Sequence, residues 1–441
     1  MPMCPRLVAF VFAATSSAFA SAPQGVPRDL ARERAAQVSG LRYELGFILT
    51  PHSPTTSGRE RMTFTLHAAG PLLLDFRDGA ISSLEVNGAV VAVKQENGHL
   101  ELPAGRLRAG ENIVLAEFTA NIAPAGKAIT RYEDRDDKDE YLYTLFVPMD
   151  ASMAFPCFDQ PDLKAKFKLE LTTPNDWTVI SNAAIESATP TEADQKSTAF
   201  SETPPLSTYQ FAFAAGPFRR LSGAAGSPDL YVRQSMLQRA EVEGPEVQQI
   251  AAQGIANLTD YFAQPFPFAK YDMVLIPGFP YGGMEHAGAT FLREESVLFR
   301  RAPTHTDLLG RDILVLHELT HQWFGDLVTM RWFDDLWLKE GFAQYRAYQT
   351  LASLKPGENI WKRFYESIKA GGVRHRLYAG HHAHLSGHSE SQGCQVRVRR
   401  DRLLESARSA EAACLRARAG AVPPRPATVP QRTHLRERPM E

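Results

Sequence analysis

Cysteine is scarce in this 441-residue chain. Its four cysteines, at positions 4, 157, 394 and 414, include no CxxC pair. That argues against a disulfide-stapled scaffold and against a zinc cluster built on thiolates. No apolar run reaches the roughly 20 residues of a bilayer-spanning helix. An excess of one charge is missing too: 48 Lys and Arg stand against 50 Asp and Glu, a net charge of -2. Neither a global nucleic-acid surface nor an acidic, disordered solvator is implied, and no nucleic-acid partner is expected. What remains, 44% hydrophobic and 22% charged, is ordinary globular composition, enough for two or three domains.

Residues 1–20 read as an export signal. Arg6 precedes the apolar residues 7–14, and Ala18-Phe19-Ala20 is a small-x-small cleavage site. The alternative is a buried N-terminal helix. The mature chain is expected to begin near Ser21 and to be exported, periplasmic or secreted.

Residues 23–225 form a β-rich segment in this reading. Residues 41–45, 61–66, 72–76, 112–118, 167–171 and 209–213 alternate or run apolar as half-buried strands do, with turn signals such as Asn97-Gly98 between them. Beyond about 240 the period becomes helical. Helices are expected at 247–262, where Ile250, Ile255, Leu258 and Phe262 share a stripe, and at 308–324 and 336–351. Residues 271–277 read as a short strand. From 374 to 441 the composition breaks: thirteen Arg, no Lys, six of the thirteen His, and Tyr378 as the one aromatic. So little apolar material is expected to build no packed domain.

The strongest chemical signal is His317-Glu318-Leu319-Thr320-His321. Two His four apart share one helix face and can meet one metal ion. Zinc suits two imidazole nitrogens and one carboxylate oxygen, with a fourth position for water. Glu318, beside the ligands, is placed to take a proton from that water. Glu340 follows His321 by nineteen positions within Trp337-Leu338-Lys339-Glu340-Gly341-Phe342-Ala343. That spacing allows a helix, a turn and a return helix bearing a third ligand; a solvated helix charge is the alternative. Upstream lies Tyr281-Gly282-Gly283-Met284-Glu285-His286-Ala287-Gly288. Glycines there let backbone approach a ligand, and a carboxylate there can bind a cation. An exposed Glu in a tight turn is the alternative.

Together with Phe155-Pro156-Cys157-Phe158-Asp159-Gln160-Pro161-Asp162-Leu163-Lys164-Ala165, these motifs resemble the gluzincin zinc aminopeptidases. That family includes alanyl aminopeptidases, puromycin-sensitive aminopeptidase and leukotriene hydrolase. The resemblance spans residues 40–373 and implies a multidomain α+β fold. A saddle-shaped β domain would be followed by a thermolysin-like metallopeptidase domain, incomplete over 226–373. It also implies one Zn2+ bound by His317, His321 and Glu340, with Glu318 as general base. Glu285 would hold the free amine of a peptide substrate, with Gly282, Gly283 and Met284 lining that subsite. Backbone of Gly282 and Gly283 would run antiparallel to the peptide.

Departures from the family pattern bear on substrate choice. His286 stands where Asn is usual, Lys339 replaces the common Asn before the third ligand, and Val147 stands where many relatives carry Gln or Glu as a second amine anchor. The family's oxyanion Tyr, roughly 60–70 residues beyond the glutamate ligand, is not found, and losing one such donor typically lowers turnover by about 10²–10³. One account of the aberrant tail is translation one base out of frame, under which residues 395–407 permit a Tyr-x-Lys string. The rival to an active zinc aminopeptidase is therefore a catalytically impaired fragment that keeps zinc and peptide binding.

Overall fold

The computed structural model describes residues 22–191 and 194–369. The expected export signal at 1–20 and the expected tail at 374–441 lie outside the described residues.

The β-rich half is organised by a 12-stranded sheet. Val38–Ile48 runs through its middle, antiparallel to Thr55–Leu66 and parallel to Lys166–Pro174. Thr55–Leu66 pairs in turn with the long strand Gly110–Ala123. Alternation explains which face is inside: Leu41, Tyr43, Leu45 and Phe47 are buried, as are Met62, Phe64 and Leu66 on the neighbouring strand. These side chains meet an aromatic core in which Phe167 and Phe211 stack with centroids 4.4 Å apart. A polar knot lies inside it. Arg34 donates to both carboxylate oxygens of Asp75 at 2.6 and 2.7 Å, and the Asp159 N–H donates to the same carboxylate at 2.9 Å.

One expected strand is different in kind. Residues 209–213 do not form a single strand: Thr208–Gln210 is a 3-10 turn and the strand is Phe213–Gly216. Gln210 Oε1 accepts the Ser207 N–H at 3.0 Å, closing a turn that competes with the ladder. The alternating pattern is produced by a buried turn, all of whose side chains face neighbours.

The second sheet has five strands, in the order Arg219–Leu221, Asp229–Val232, Asp272–Ile276, Ala289–Arg293, Gly283–Met284. The expected boundary near 225 falls inside its first hairpin. Two long helices pack against it and a third packs on those helices. Leu237–Phe262 is longer than the stripe at 247–262 required, with Ile250, Leu258 and Phe262 buried and Ile255 only half-buried. His305–His321 starts at a capping box, in which Thr304 and Asp307 each accept the other's backbone N–H, at 3.2 and 2.9 Å. Trp337–Leu354 returns alongside it.

Gly254 sets how closely the first helix meets the second. A Cβ there would stand 2.5 Å from Leu316 and 2.7 Å from Leu319. Only glycine leaves room for those two buried leucines, which flank the histidines of the motif.

Candidate active site

The metal-ligand candidates occupy two helices. His317 and His321 lie one turn apart at the C-terminal end of His305–His321, with Nε2 atoms 3.1 Å apart. Glu340 sits in the first turn of Trp337–Leu354. Its Oε2 lies 3.4 Å from His317 Nε2 and 3.5 Å from His321 Nε2. Four ligands arranged tetrahedrally at about 2.0–2.1 Å from zinc stand about 3.3–3.4 Å from one another. The three atoms are therefore spaced as such a triad requires. The donor chemistry agrees. His321 Nδ1 lies 2.9 Å from the Phe324 carbonyl, which fixes the proton on Nδ1 and leaves the Nε2 lone pair facing its neighbours.

Electrostatics tie the group together. Burial opposes charge on Glu340, but Lys339 and His321 hold its carboxyl well below the usual range. Burial also works against the His321 imidazolium, and the Glu285 and Glu340 carboxylates outweigh it, raising its pKa. Glu318 is buried within the same cluster, and that burial pushes its carboxyl up to about 8.

Gly283–Met284 is the edge strand, antiparallel to Ala289–Arg293. The Gly282 carbonyl accepts the Arg293 N–H at 2.8 Å, so it is committed to the sheet. Alternation then turns the Gly283 peptide groups towards the open edge, leaving Gly283, rather than Gly282, to face a ligand. A Cβ on Gly283 would stand 2.6 Å from the Glu318 carboxylate, so the edge and that side chain touch. Met284 is buried in the cluster against which Val147 packs, and Val147 brings no polar atom to it.

Glu285 comes directly after the edge strand and is 3% exposed. Gln322, one residue past the motif helix, pins this turn. Its Oε1 accepts the Gly288 N–H at 2.8 Å, and its Nε2 donates to the Glu285 carbonyl at 3.4 Å. His286 is buried edge-on against Phe291 at 4.5 Å, and burial lowers its pKa to about 3, so the ring is neutral. The structure thus gathers Glu285, Glu318, His317, His321 and Glu340 from segments distant in sequence.

Sequence reasoning noted Lys339 only as a departure from the family pattern and missed Tyr209, Gln210 and Lys164. Lys339 Nζ is bonded to Glu285 Oε1 and lies 3.1 Å from Glu340 Oε1. Its signal was a charge inside an otherwise apolar and aromatic stretch. Tyr209 OH donates to the Gly325 carbonyl at 3.2 Å, and Gln210 Nε2 donates to the same oxygen. Lys164 Nζ donates to the Asp326 carbonyl at 2.6 Å. These contacts from the β-rich half clamp the turn that follows the histidines; Lys164 lies in the motif block at 155–165, and no local pattern marks Tyr209 or Gln210.

Comparison with known proteins gives a family match over much of the chain. Residues 41–210 match the Peptidase M1 N-terminal domain, and residues 248–385 match the Peptidase family M1 domain. The chain is 32% identical over 360 residues to aminopeptidase N of Streptomyces lividans, covering 79% of this chain and 41% of that protein. It is 35% identical over 266 residues to aminopeptidase M1-C of Oryza sativa, covering 60% of this chain and 30% of that one. Against the puromycin-sensitive aminopeptidase of Caenorhabditis elegans it is 35% identical over 247 residues, 55% of this chain and 26% of the other. The chain thus spans well under half the length of these curated relatives.

Proposed function

The chain belongs to the peptidase M1 family, and on that premise we propose that it is a zinc-dependent aminopeptidase acting on peptides with a free N-terminus. One observation carries the proposal: His317, His321 and Glu340 converge within 3.5 Å of one another, beside buried Glu318 and Glu285. The first three would hold one zinc ion. Zinc held there supplies Lewis acidity toward a peptide carbonyl and lowers the pKa of water.

The chain's own residues do the rest. Glu318 faces the positive charge its neighbours would bind, and an opposite charge within a few ångströms favours the carboxylate that a base needs. It takes the proton of the attacking water and returns it to the departing amine. Glu285 binds the substrate α-ammonium, one residue from the scissile bond, which sets register as well as affinity. The outward peptide groups of Gly283 hold the substrate backbone alongside the edge strand. We also propose export, supported by the charge, apolar stretch and cleavage pattern of residues 1–20; the N-terminus of the chain recovered outside the cytoplasm should then lie near residue 21.

The test is release of nitroaniline from an aminoacyl-nitroanilide by the zinc-loaded chain. Turnover should fall steeply, to a small residual rate, in Glu318→Gln while zinc content is kept; equal turnover in both proteins overturns the proposal. A second reading, zinc and peptide binding with impaired turnover, is favoured by the Lys339–Glu285 contact and by the apolar Val147. It predicts retained zinc with no anilide release. An N-acetylated peptide cut as fast as its free-amine form would point to an endopeptidase instead.

A further inference from the structure

We propose that Lys339 is a specificity-determining residue: its ammonium is a built-in occupant of the Glu285 carboxylate, and a substrate amine binds there only by displacing it. The inference rests on the aminopeptidase reading of Glu285.

Lys339 is not a surface lysine that happens to reach inward. Its side chain is 6% exposed, and lysine is almost never buried unless paired. Every side of the ammonium is accounted for. It bonds Glu285 Oε1, lies 3.1 Å from Glu340 Oε1, and sits 5.0 Å from the centre of the Tyr209 ring. Its stem passes Gly325, where a Cβ would stand 3.5 Å from Lys339 Cδ. The clamp on Gly325 from Tyr209 and Gln210 therefore also holds the lysine's path.

A primary ammonium on Glu285 is chemically what a peptide N-terminus would bring. The charges of Glu285 and Lys339 cancel, and Val147 adds no second anchor. The amine subsite of this chain is accordingly close to neutral, and its attraction for an α-ammonium is reduced by the fraction of molecules in which the pair is closed. A pair closed in nine-tenths to ninety-nine hundredths of molecules weakens amine binding by about 10–100-fold. N-acylated ligands, which do not need Glu285, escape that loss.

A competing account is that Lys339 only orients Glu340, since Glu340 Oε1 faces the lysine while Oε2 faces the histidines. The two accounts separate in binding. The full chain is loaded with Co2+, and the change in its visible spectrum is titrated with leucine hydroxamate and with N-acetyl-leucine hydroxamate. In the unsubstituted protein the free-amine hydroxamate should gain little over the acetylated one. In Lys339→Met the free-amine hydroxamate should tighten by about 10–100-fold with the acetylated one unchanged. Lys339→Arg should restore the parent ratio. Lys339→Met/Glu285→Gln should lose the gain.

Because Lys339→Met leaves a buried carboxylate unpaired, Lys339→Gln, which keeps a hydrogen-bonding partner for Glu285, carries the same expectation if Lys339→Met does not load cobalt. Unchanged or weaker free-amine binding in these variants, or equal loss of both hydroxamates together with cobalt affinity, overturns the inference. If neither hydroxamate perturbs the cobalt spectrum of any variant, the aminopeptidase reading itself falls.

Discussion

Gly283→Ala probes the site with one carbon atom. That carbon would stand 2.6 Å from Cδ, Cγ and Oε1 of Glu318. Two carbons rest at about 3.5 Å, so the groups must part by about 0.9 Å. Glu318 is 5% exposed and sits on a helix packed against its neighbours, while Gly283 belongs to a sheet edge. Neither yields freely, and the carboxylate of Glu318 is the part best able to move. A misplacement of about 1 Å in a catalytic group lowers turnover by about 10²-fold. Stability should fall by only about 1–3 kcal/mol, the usual range for one added methyl in a packed place.

Turnover of an aminoacyl-nitroanilide should therefore drop about a hundredfold in Gly283→Ala with zinc content unchanged. The double variant Gly283→Ala/Glu318→Gln is the sharper assay. If the methyl acts by moving Glu318, it should add almost nothing once that carboxylate is gone, since residues in contact fail to add. Fully additive losses, or parental turnover in Gly283→Ala, would refute the contact as the cause.

Three further outcomes are expected. Gly254→Ala gains about 1 kcal/mol of helix propensity but meets Leu316 and Leu319, an overpacking of about 1–3 kcal/mol, so urea unfolding should show a net loss; a gain would mean that the helices are not held at glycine distance. Burial raises the Asp159 carboxyl from its ordinary range to about 7. The folded state then holds more protons than the unfolded one between about pH 4 and 7, and stability falls as pH rises through that window, by up to about 4 kcal/mol. Asp159→Asn should flatten that slope in thermal unfolding at pH 5 and pH 8; an unchanged slope assigns it elsewhere. Finally, zinc at about 1,000 times its dissociation constant should stabilise the chain by about 4 kcal/mol. A chelator should remove that gain from the parent and have no effect on His321→Ala, and equal chelator sensitivity in both would place the metal elsewhere.

The amino-acid sequence alone determined whatever depends on period and spacing. Alternation in residues 41–45 and 61–66 marked strands because a half-buried strand repeats every two residues. Residues 317 and 321 marked a ligand pair because a helix returns to the same face after four. Glu340 was readable because its interval allows a return helix. Where the apolar pattern had another cause, the reading failed. Residues 209–213 look like a strand because each side chain is buried, yet a turn closed by Gln210 and Ser207 buries them.

Tertiary structure decided what depends on partners far along the chain. Lys339 and Glu285 are 54 positions apart, and Tyr209 and Gly325 are 116. No periodicity links such pairs, because their meeting is set by how the sheets and helices pack. Lys339 read as a departure from a family pattern; beside Glu285 it is a charge that answers another charge. Gly283 read as a place where backbone can approach a ligand and Gly254 drew no reading; in the fold they are places where edge meets carboxylate and helix meets helix closer than a Cβ allows.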